Sequence, residues 1–233
     1  MVTIDKPPTL AGAGLKRGFR GLTPIALFVV PFGIAFGAAA IDRGLSAAQA
    51  IVMSATVFAA ASQFAALNLF EPAMPYLSVA LVVLALNARH SVLSAALSPW
   101  VNRLPAVKRI SALCMVSDAN FAASRERLGS GDTDLGHLVG GGMALWLAWV
   151  AGTAIGAFAG SGLGPLDRFG IDVTMVCFFA TTVARDAVTP ALRLPIVAAA
   201  CIAVMTTGLL PTGWNIIAAA LAAGGVGLAR PDD

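Results

Sequence analysis

The chain is short of charge. Of its 233 residues only 12% are Asp, Glu, Lys or Arg, about half the share found in soluble domains. It is also short of the residues that build metal and redox sites. There are two histidines, and three cysteines (Cys114, Cys177, Cys201) that each stand singly in an apolar run. No CxxC or Cys/His spacing is present, so neither a disulfide framework nor a zinc site is suggested, and the cysteines read as small buried apolar residues. No GxxxxGK[ST] phosphate loop appears, which argues against a primary pump. No repeated ring of polar residues or filter loop suggests a channel. The net charge of +3 does not suggest a nucleic-acid partner, because Lys and Arg in membrane proteins mostly set orientation.

What fills the space is apolar. Hydrophobic residues make up 58% of the chain and the mean hydropathy is +0.84, so the lipid bilayer is the expected surrounding. A crossing helix needs about 20 mainly apolar residues. Such segments lie near 22–41, 46–70, 76–98, 137–163, 168–188, 192–210 and 212–229. An eighth, 110–124, is too short to cross alone and reads as a tilted or half-length helix packed inside the bundle. The fold class is therefore all-α, a polytopic transmembrane helix bundle of about 7–8 segments. Residues 1–20 form a cytoplasmic N-terminal tail, 21–229 a single transmembrane domain that admits halves 21–127 and 137–229, and 230–233 a C-terminal tail.

The N-terminus is not read as a signal peptide. Its apolar run is too long, holds Pro24, Pro31, Gly33 and Gly37, and is followed by many more spans. The basic cluster Lys16, Arg17, Arg20 anchors the first span on the cytoplasmic side. Eight crossings and seven crossings both divide Lys and Arg nine to five, so the positive-inside rule leaves the topology open. Tyr76, Trp100 and Trp214 fit interfacial anchors, and Trp146 and Trp149 face either helices or lipid. "GIAFGAAA" (33–40) and "GTAIGAFA" (152–159) form a weak internal repeat. Such an echo is either a duplication or the small-xxx-small pattern common to membrane helices.

Ionisable residues inside spans are costly, about 2.5–3.5 kcal/mol at a helix centre on insertion scales, and so face a cavity or a partner. Arg89, His90, Asp118, Asp172 and the Arg185–Asp186 pair are the candidates, with Ser62, Gln63, Asn68 and Asn87 as uncharged companions. Arg89 either pairs with Asp118 or Asp172 to lock helices, or donates to an anionic ligand group, since its fork fits a carboxylate. His90 either carries a coupling proton or is a neutral hydrogen-bonding residue. Asp172 lies about one turn into its segment and either serves a proton path or stabilises a helix N-terminus. Asp118 is central in its short segment and reads as facing a pathway. Pro31 and Gly33 lie mid-span, where proline frees a backbone carbonyl. The expectation is a broken span lining a cavity, or else a plain kink. The run Gly140, Gly141, Gly142 with Gly152, Gly156 and Gly160 favours close helix contact, within the chain or with a second subunit.

"PIALFVVPFGIAFG", "ASQFAAL" (61–67) and "NARHSVLSAALSP" (87–99), in this order, resemble the AzlC (YgaZ-type) family, the large subunit of bacterial branched-chain amino acid exporters. "SDANF" and "GIDVTMVCFFATTV" (170–183) extend the resemblance, which runs from about 18 to 229. It implies a two-component secondary transporter of the inner membrane, no enzymatic activity, no cofactor, and a small AzlD-like membrane subunit of about four spans as partner. One departure concerns Asp118. The family tends to have Asp-Glu here, whereas this chain has Ala119, which puts the role of a second carboxylate in doubt. On this resemblance Arg89 and Asn87 would hold the carboxylate of an apolar amino-acid substrate, and Asp118 and Gln63 its ammonium. Pro31, Gly33 and Phe64 would shape the cavity, and His90 and Asp172 would serve proton coupling. Two other classes compete. A non-transporting scaffold or assembly subunit would pair its polar residues internally. An intramembrane protease would need a Gly-x-Ser-Gly motif, but "AGSG" (159–162) has alanine in the first position.

Overall fold

A glycine admits another backbone where any side chain would collide, and two helices of this chain use that property along their length. In the computed structural model, which describes residues 7–70, 76–163, 180, 183–184, 187–210 and 214–229, the first helix, α1, spans Gly12–Asp42. Another, α7, spans Gly136–Leu163. A Cβ on Gly37 would fall on the carbonyl oxygen of Thr153, and one on Gly156 on that of Ile34. A Cβ on Gly33 would lie 2.7 Å from the Trp149 carbonyl oxygen, and one on Gly140 would fall on that of Leu15. Residues 11–18 thus lie beside 134–140 and residues 30–37 beside 149–157, so α1 and α7 run parallel. The two stretches that echo each other in sequence are the two that touch. Gly140, Gly141, Gly142, Gly152 and Gly156 make their contacts within the chain.

The entry to both helices is tied. Thr9 N–H donates to the Thr133 carbonyl at 3.1 Å, and Leu135 N–H to the Thr9 carbonyl at 2.8 Å. Asp134 accepts from the N–H of Ala11 at 3.0 Å and of Gly136 at 2.9 Å and pairs with Arg17 at 3.4 Å. Helix α1 begins at Gly12, so its first turns lie in the stretch read from sequence as tail.

The expected break at Pro31 and Gly33 is absent. Helix α1 is continuous through Pro24 and Pro31. Pro31 is exposed and Gly33 buried, in close contact with Trp149 and Gly152 of α7. The break falls instead in the next segment. Read from sequence as one span over 46–70, it forms α2 (Ala47–Val57) and α3 (Ala60–Asn68). Helix α2 opens on a capping box, Ser46 with Gln49, and ends at Phe58, whose φ of 43° is left-handed. That backbone is unfavourable for a bulky residue. Phe58 packs against a buried group of Leu22, Ala26, Ala144 and Leu145. Ser54 and Thr153 share a hydrogen bond of 2.7 Å, and Trp146 donates its indole N–H to the Ala55 carbonyl at 3.0 Å. Trp149 lies 5.7 Å from the Phe36 ring. Both tryptophans therefore face helices.

Helix α4 spans Tyr76–Val101, as its unbroken apolar run predicts. The short segment near 110–124 is two helices, α5 (Ala106–Cys114) and α6 (Asp118–Gly129). They rise about 13 and 18 Å at 1.5 Å per residue, so neither crosses a bilayer core of about 30 Å. One buried cluster gathers Leu97, Trp100, Val101 and Leu104 before α5, Leu128 at the end of α6, and Leu135 and Leu138 after it. Ala112 at the end of α5 and Val116 in the break belong to the same cluster, so the segment 106–129 packs on it at both ends and at its break, as a pair of short helices rather than a single crossing. Trp100, read as an interfacial anchor, is buried in that cluster. Two more helices follow, α8 (Pro190–Thr206) and α9 (Trp214–Leu228), packed against each other. Among the described residues all nine elements are helices, and α1, α4 and α7 are each long and apolar enough to cross a membrane. The fold is all-α, a membrane helix bundle.

The chain divides into two compact units, Met1–Phe58 with Ala88–Ser161, and Ala59–Asn87 with Gly162–Asp233. Each is described by itself. Cys114 and Cys201 are exposed, against the expectation of buried cysteines. Each lies on a helix face that this chain leaves open, which an apolar side chain tolerates in a bilayer. Cys177, Asp172, Arg185 and Asp186 lie outside the described residues.

The helix seam generates a test. Gly37→Leu or Gly156→Leu inserts volume where even a methyl group meets backbone, and overpacking of this kind costs about 1–3 kcal/mol. Both variants are expected to lower the melting temperature of the detergent-extracted protein. Gly224→Leu, with open space around the site, is expected to leave it unchanged.

Candidate functional site: an ion pair at the break of a helical hairpin

Arg89 is the fourteenth residue of a 26-residue apolar helix, so it lies near the middle of α4. Its nearest charge comes from the break between α5 and α6. Three residues, Met115, Val116 and Ser117, separate the two helices. Ser117 is the N-cap of α6 and forms a capping box with Asn120, a favourable way to start a helix. Asp118 is consequently the first residue of α6. Sequence reading placed it centrally in one segment. It stands instead at a helix N-terminus, where the backbone N–H groups favour a negative charge.

Arg89 and Asp118 form an ion pair with an N–O distance of 2.8 Å. Of the partners open to Arg89, Asp118 is thus the one observed. The pair is not sealed. The side chains retain 45% and 47% of their exposure, so each charge keeps an open face.

The break itself is held by Asn120, which is fully buried. Its Oδ1 accepts from Ser117 N–H at 2.7 Å and from Ser117 Oγ–H at 3.1 Å. Its Nδ2 donates to the carbonyls of Met115 and of Leu138, the latter at 2.9 Å. Asn120 was not singled out from sequence. The Ser-x-x-Asn spacing at 117–120 was the available signal, since it fits a helix-starting box.

The remaining expected site residues divide between the units. Pro31 and Gly33 belong with Arg89 and Asp118 to the first. Gln63, Phe64 and Asn87 belong to the second. In the second unit Ser62 donates to Asn87 Oδ1 at 2.9 Å, which leaves the donor capacity of Asn87 on its NH2 group. Gln63 is fully buried on α3 and Phe64 half-buried beside it. His90 is half-buried on α4. Asp172 lies outside the described residues. Gly33 is committed to the α7 contact. His137 is buried at the start of α7, and its Nδ1 has no hydrogen-bond partner. Among the described residues no group of three His, Cys, Asp or Glu is placed to hold a metal ion.

The chemistry available in the first unit is a cation and an anion side by side, at mid-helix, with open faces. Comparison with known proteins gives this arrangement a context. The profile of the AzlC protein family matches residues 24–163, a range that holds both Arg89 and Asp118.

The chain belongs to the AzlC family. It is 30% identical over 159 residues to the inner membrane protein YgaZ of Escherichia coli K12, covering 67% of this chain and 65% of that protein. It is 32% identical over 157 residues to an uncharacterized membrane protein of Archaeoglobus fulgidus, covering 67% of each. The chain thus spans slightly less than two thirds of the length of YgaZ. No solved structure matches. The AzlC-family profile ends at residue 163, short of the "GIDVTMVCFFATTV" stretch that the sequence resemblance included. Both relatives are named as membrane proteins, in keeping with the long apolar helices of this chain.

The pair predicts energetic coupling. Arg89→Gln and Asp118→Asn each leave one charge at membrane depth without its partner, whereas the double variant leaves none. The double variant is expected to be more stable than the sum of the single losses allows, by on the order of 1 kcal/mol. Melting of the four proteins in detergent checks this, and strict additivity would show that the pair contributes nothing.

Proposed function

We propose that this chain is the large subunit of a two-component secondary transporter that exports branched-chain or similar apolar amino acids across the bacterial inner membrane. The observation that carries the reading is the half-open Arg89–Asp118 pair. A zwitterionic amino acid presents a carboxylate and an ammonium group a few atoms apart. Arg89 can hold the carboxylate through its fork, and Asp118 can accept from the ammonium group. The two residues satisfy each other when no substrate is present, so neither charge is stranded between cycles. An arriving amino acid competes for both at once.

The earlier reading of Pro31 and Gly33 as a cavity-lining break has no part in this site, because α1 is continuous there. Asn87 on the carboxylate side, Gln63 on the ammonium side, Phe64 on the apolar side, and His90 and Asp172 in proton coupling, are further parts of the proposal. The proposed partner is a small AzlD-like membrane subunit. The exposed apolar length of α4, of which only Ser78, Val82, Leu97, Trp100 and Val101 are buried, leaves surface for it.

A scaffold subunit that transports nothing is the competing reading. It draws support from the internal pairing of Arg89 with Asp118 and of Ser62 with Asn87. Efflux separates the two. Cells loaded with labelled valine and expressing this chain with its small partner are expected to export valine, and cells expressing the chain alone are not. Arg89→Ala at equal membrane abundance is expected to reduce export by about tenfold or more, the effect of losing roughly one charge-assisted hydrogen bond. Export of no branched-chain amino acid with the partner present would favour the scaffold.

A further inference from the structure

Asp118 meets Arg89 from the break between α5 and α6, and one side chain bonds that break to α7. Asn120 has two amide hydrogens and two acceptor lone pairs. All four are used, on Ser117 N–H, Ser117 Oγ–H, the Met115 carbonyl and the Leu138 carbonyl. Three of these bonds close the break at 115–117 on itself. The fourth ties the closed break to α7. The receiving surface is glycine. A Cβ on Gly142 would fall on the Met115 carbonyl oxygen and lie 2.8 Å from Asn120 Nδ2, and one on Gly141 would lie 3.4 Å from the Asn120 Cβ. Asp118 and Ala119 are the two residues of α6 that lie between the cap Ser117 and Asn120. Neither Leu138 nor Gly142 is among the partners of Arg89 or Asp118.

We propose that Asn120 is the positioning residue of the Arg89–Asp118 pair, docking the hairpin break on α7 and so setting the Asp118 carboxylate against Arg89. The amide is required rather than its shape alone. A carboxylate at 120 would turn an oxygen toward two carbonyl oxygens, losing both donated bonds while keeping the capping box. The claim about geometry stands apart from the exporter reading; only its effect on transport rests on that reading.

Thiol cross-linking tests it in membranes holding the full chain. Cys114, Cys177 and Cys201 are first replaced by serine. One reporter carries Arg89→Cys with Asp118→Cys, bridged by a short bifunctional maleimide. A second carries Arg17→Cys with Asp134→Cys and reports the α1–α7 entry, which Asn120 does not touch. Asn120→Asp is introduced into each. So is Gly142→Ala, which pushes the break off α7 without altering Asn120 and keeps a residue that favours helix. Bridging between positions 89 and 118 is expected to fall by about threefold or more, the change that loss of a buried hydrogen bond makes to a local equilibrium. Bridging between 17 and 134 is expected to hold. Unchanged 89–118 bridging in both variants would overturn the proposal. So would an equal fall in both reporters, which would mean a general loss of structure. Valine efflux is measured in parallel on the chain with Arg89 and Asp118 intact. Reduced 89–118 bridging with unaltered export would support the positioning role and count against the pair as the transport site.

Discussion

The rest of the first unit depends on how closely α1 and α7 approach. With a Cβ at Gly18, Gly37, Gly140 or Gly156, the two backbones could not take their observed separation. That separation decides what else can dock. Thr153 reaches Ser54 of α2 and Trp146 reaches the Ala55 carbonyl because α7 lies flat against its neighbour. Gly141 and Gly142, on the same helix, leave room for the break between α5 and α6. Lipid gives helices no hydrophobic reason to associate, so van der Waals contact between close backbones is what remains. Glycine, which weakens a helix in water, is here what lets helices be held together.

The two interrupted segments solve one physical problem differently. Ending a helix at membrane depth leaves backbone groups without partners, and hydrocarbon supplies none. At 115–117 the solution is polar and local: a capping box, two carbonyls bonded by Asn120, and an acidic first residue facing the helix N-terminus. At Phe58 it is apolar. The chain turns through an unfavourable left-handed conformation while the ring is gripped by Leu22, Ala26, Ala144 and Leu145. The first kind of break presents charge and suits a place where ligand and side chains exchange contacts. The second presents none.

The sequence exposed the long elements and hid the breaks. The span near 76–98 is seen as Tyr76–Val101, and that near 137–163 as Gly136–Leu163, because a continuous apolar run with no strong breaker has one economical fate in a bilayer. Proline and glycine at 31 and 33 suggested an interruption that α1 does not have. In a packed membrane helix a proline removes one hydrogen bond, and the adjoining helix can hold the course. Phe58 carries no local signal at all, since only tertiary contacts make its backbone tolerable. Arg89 and Asp118 were legible as charges too deep to be idle. Their meeting was one of several open pairings, and nothing linear in the sequence could choose among them. Asn120 was legible as part of a helix start. Its bond to the Leu138 carbonyl joins residues that only the folded hairpin brings together.

The cluster that joins the end of α4, the end of α6 and the start of α7 also has a bearing on sidedness. Counted along the chain, cations divide evenly enough that either orientation satisfies the rule. Counted in space, the first unit is lopsided. Lys16, Arg17 and Arg20 open α1. Arg125 and Arg127 close α6. Arg103, Lys108 and Arg109 flank the start of α5. Leu10, Trp100, Leu128 and Leu135, which neighbour these groups along the chain, pack together, whereas Arg43 follows the other end of α1. Cells retain basic loops on the cytoplasmic face, so the side on which this cluster of cations lies, rather than the count along the chain, is what a tag-accessibility measurement of orientation would read.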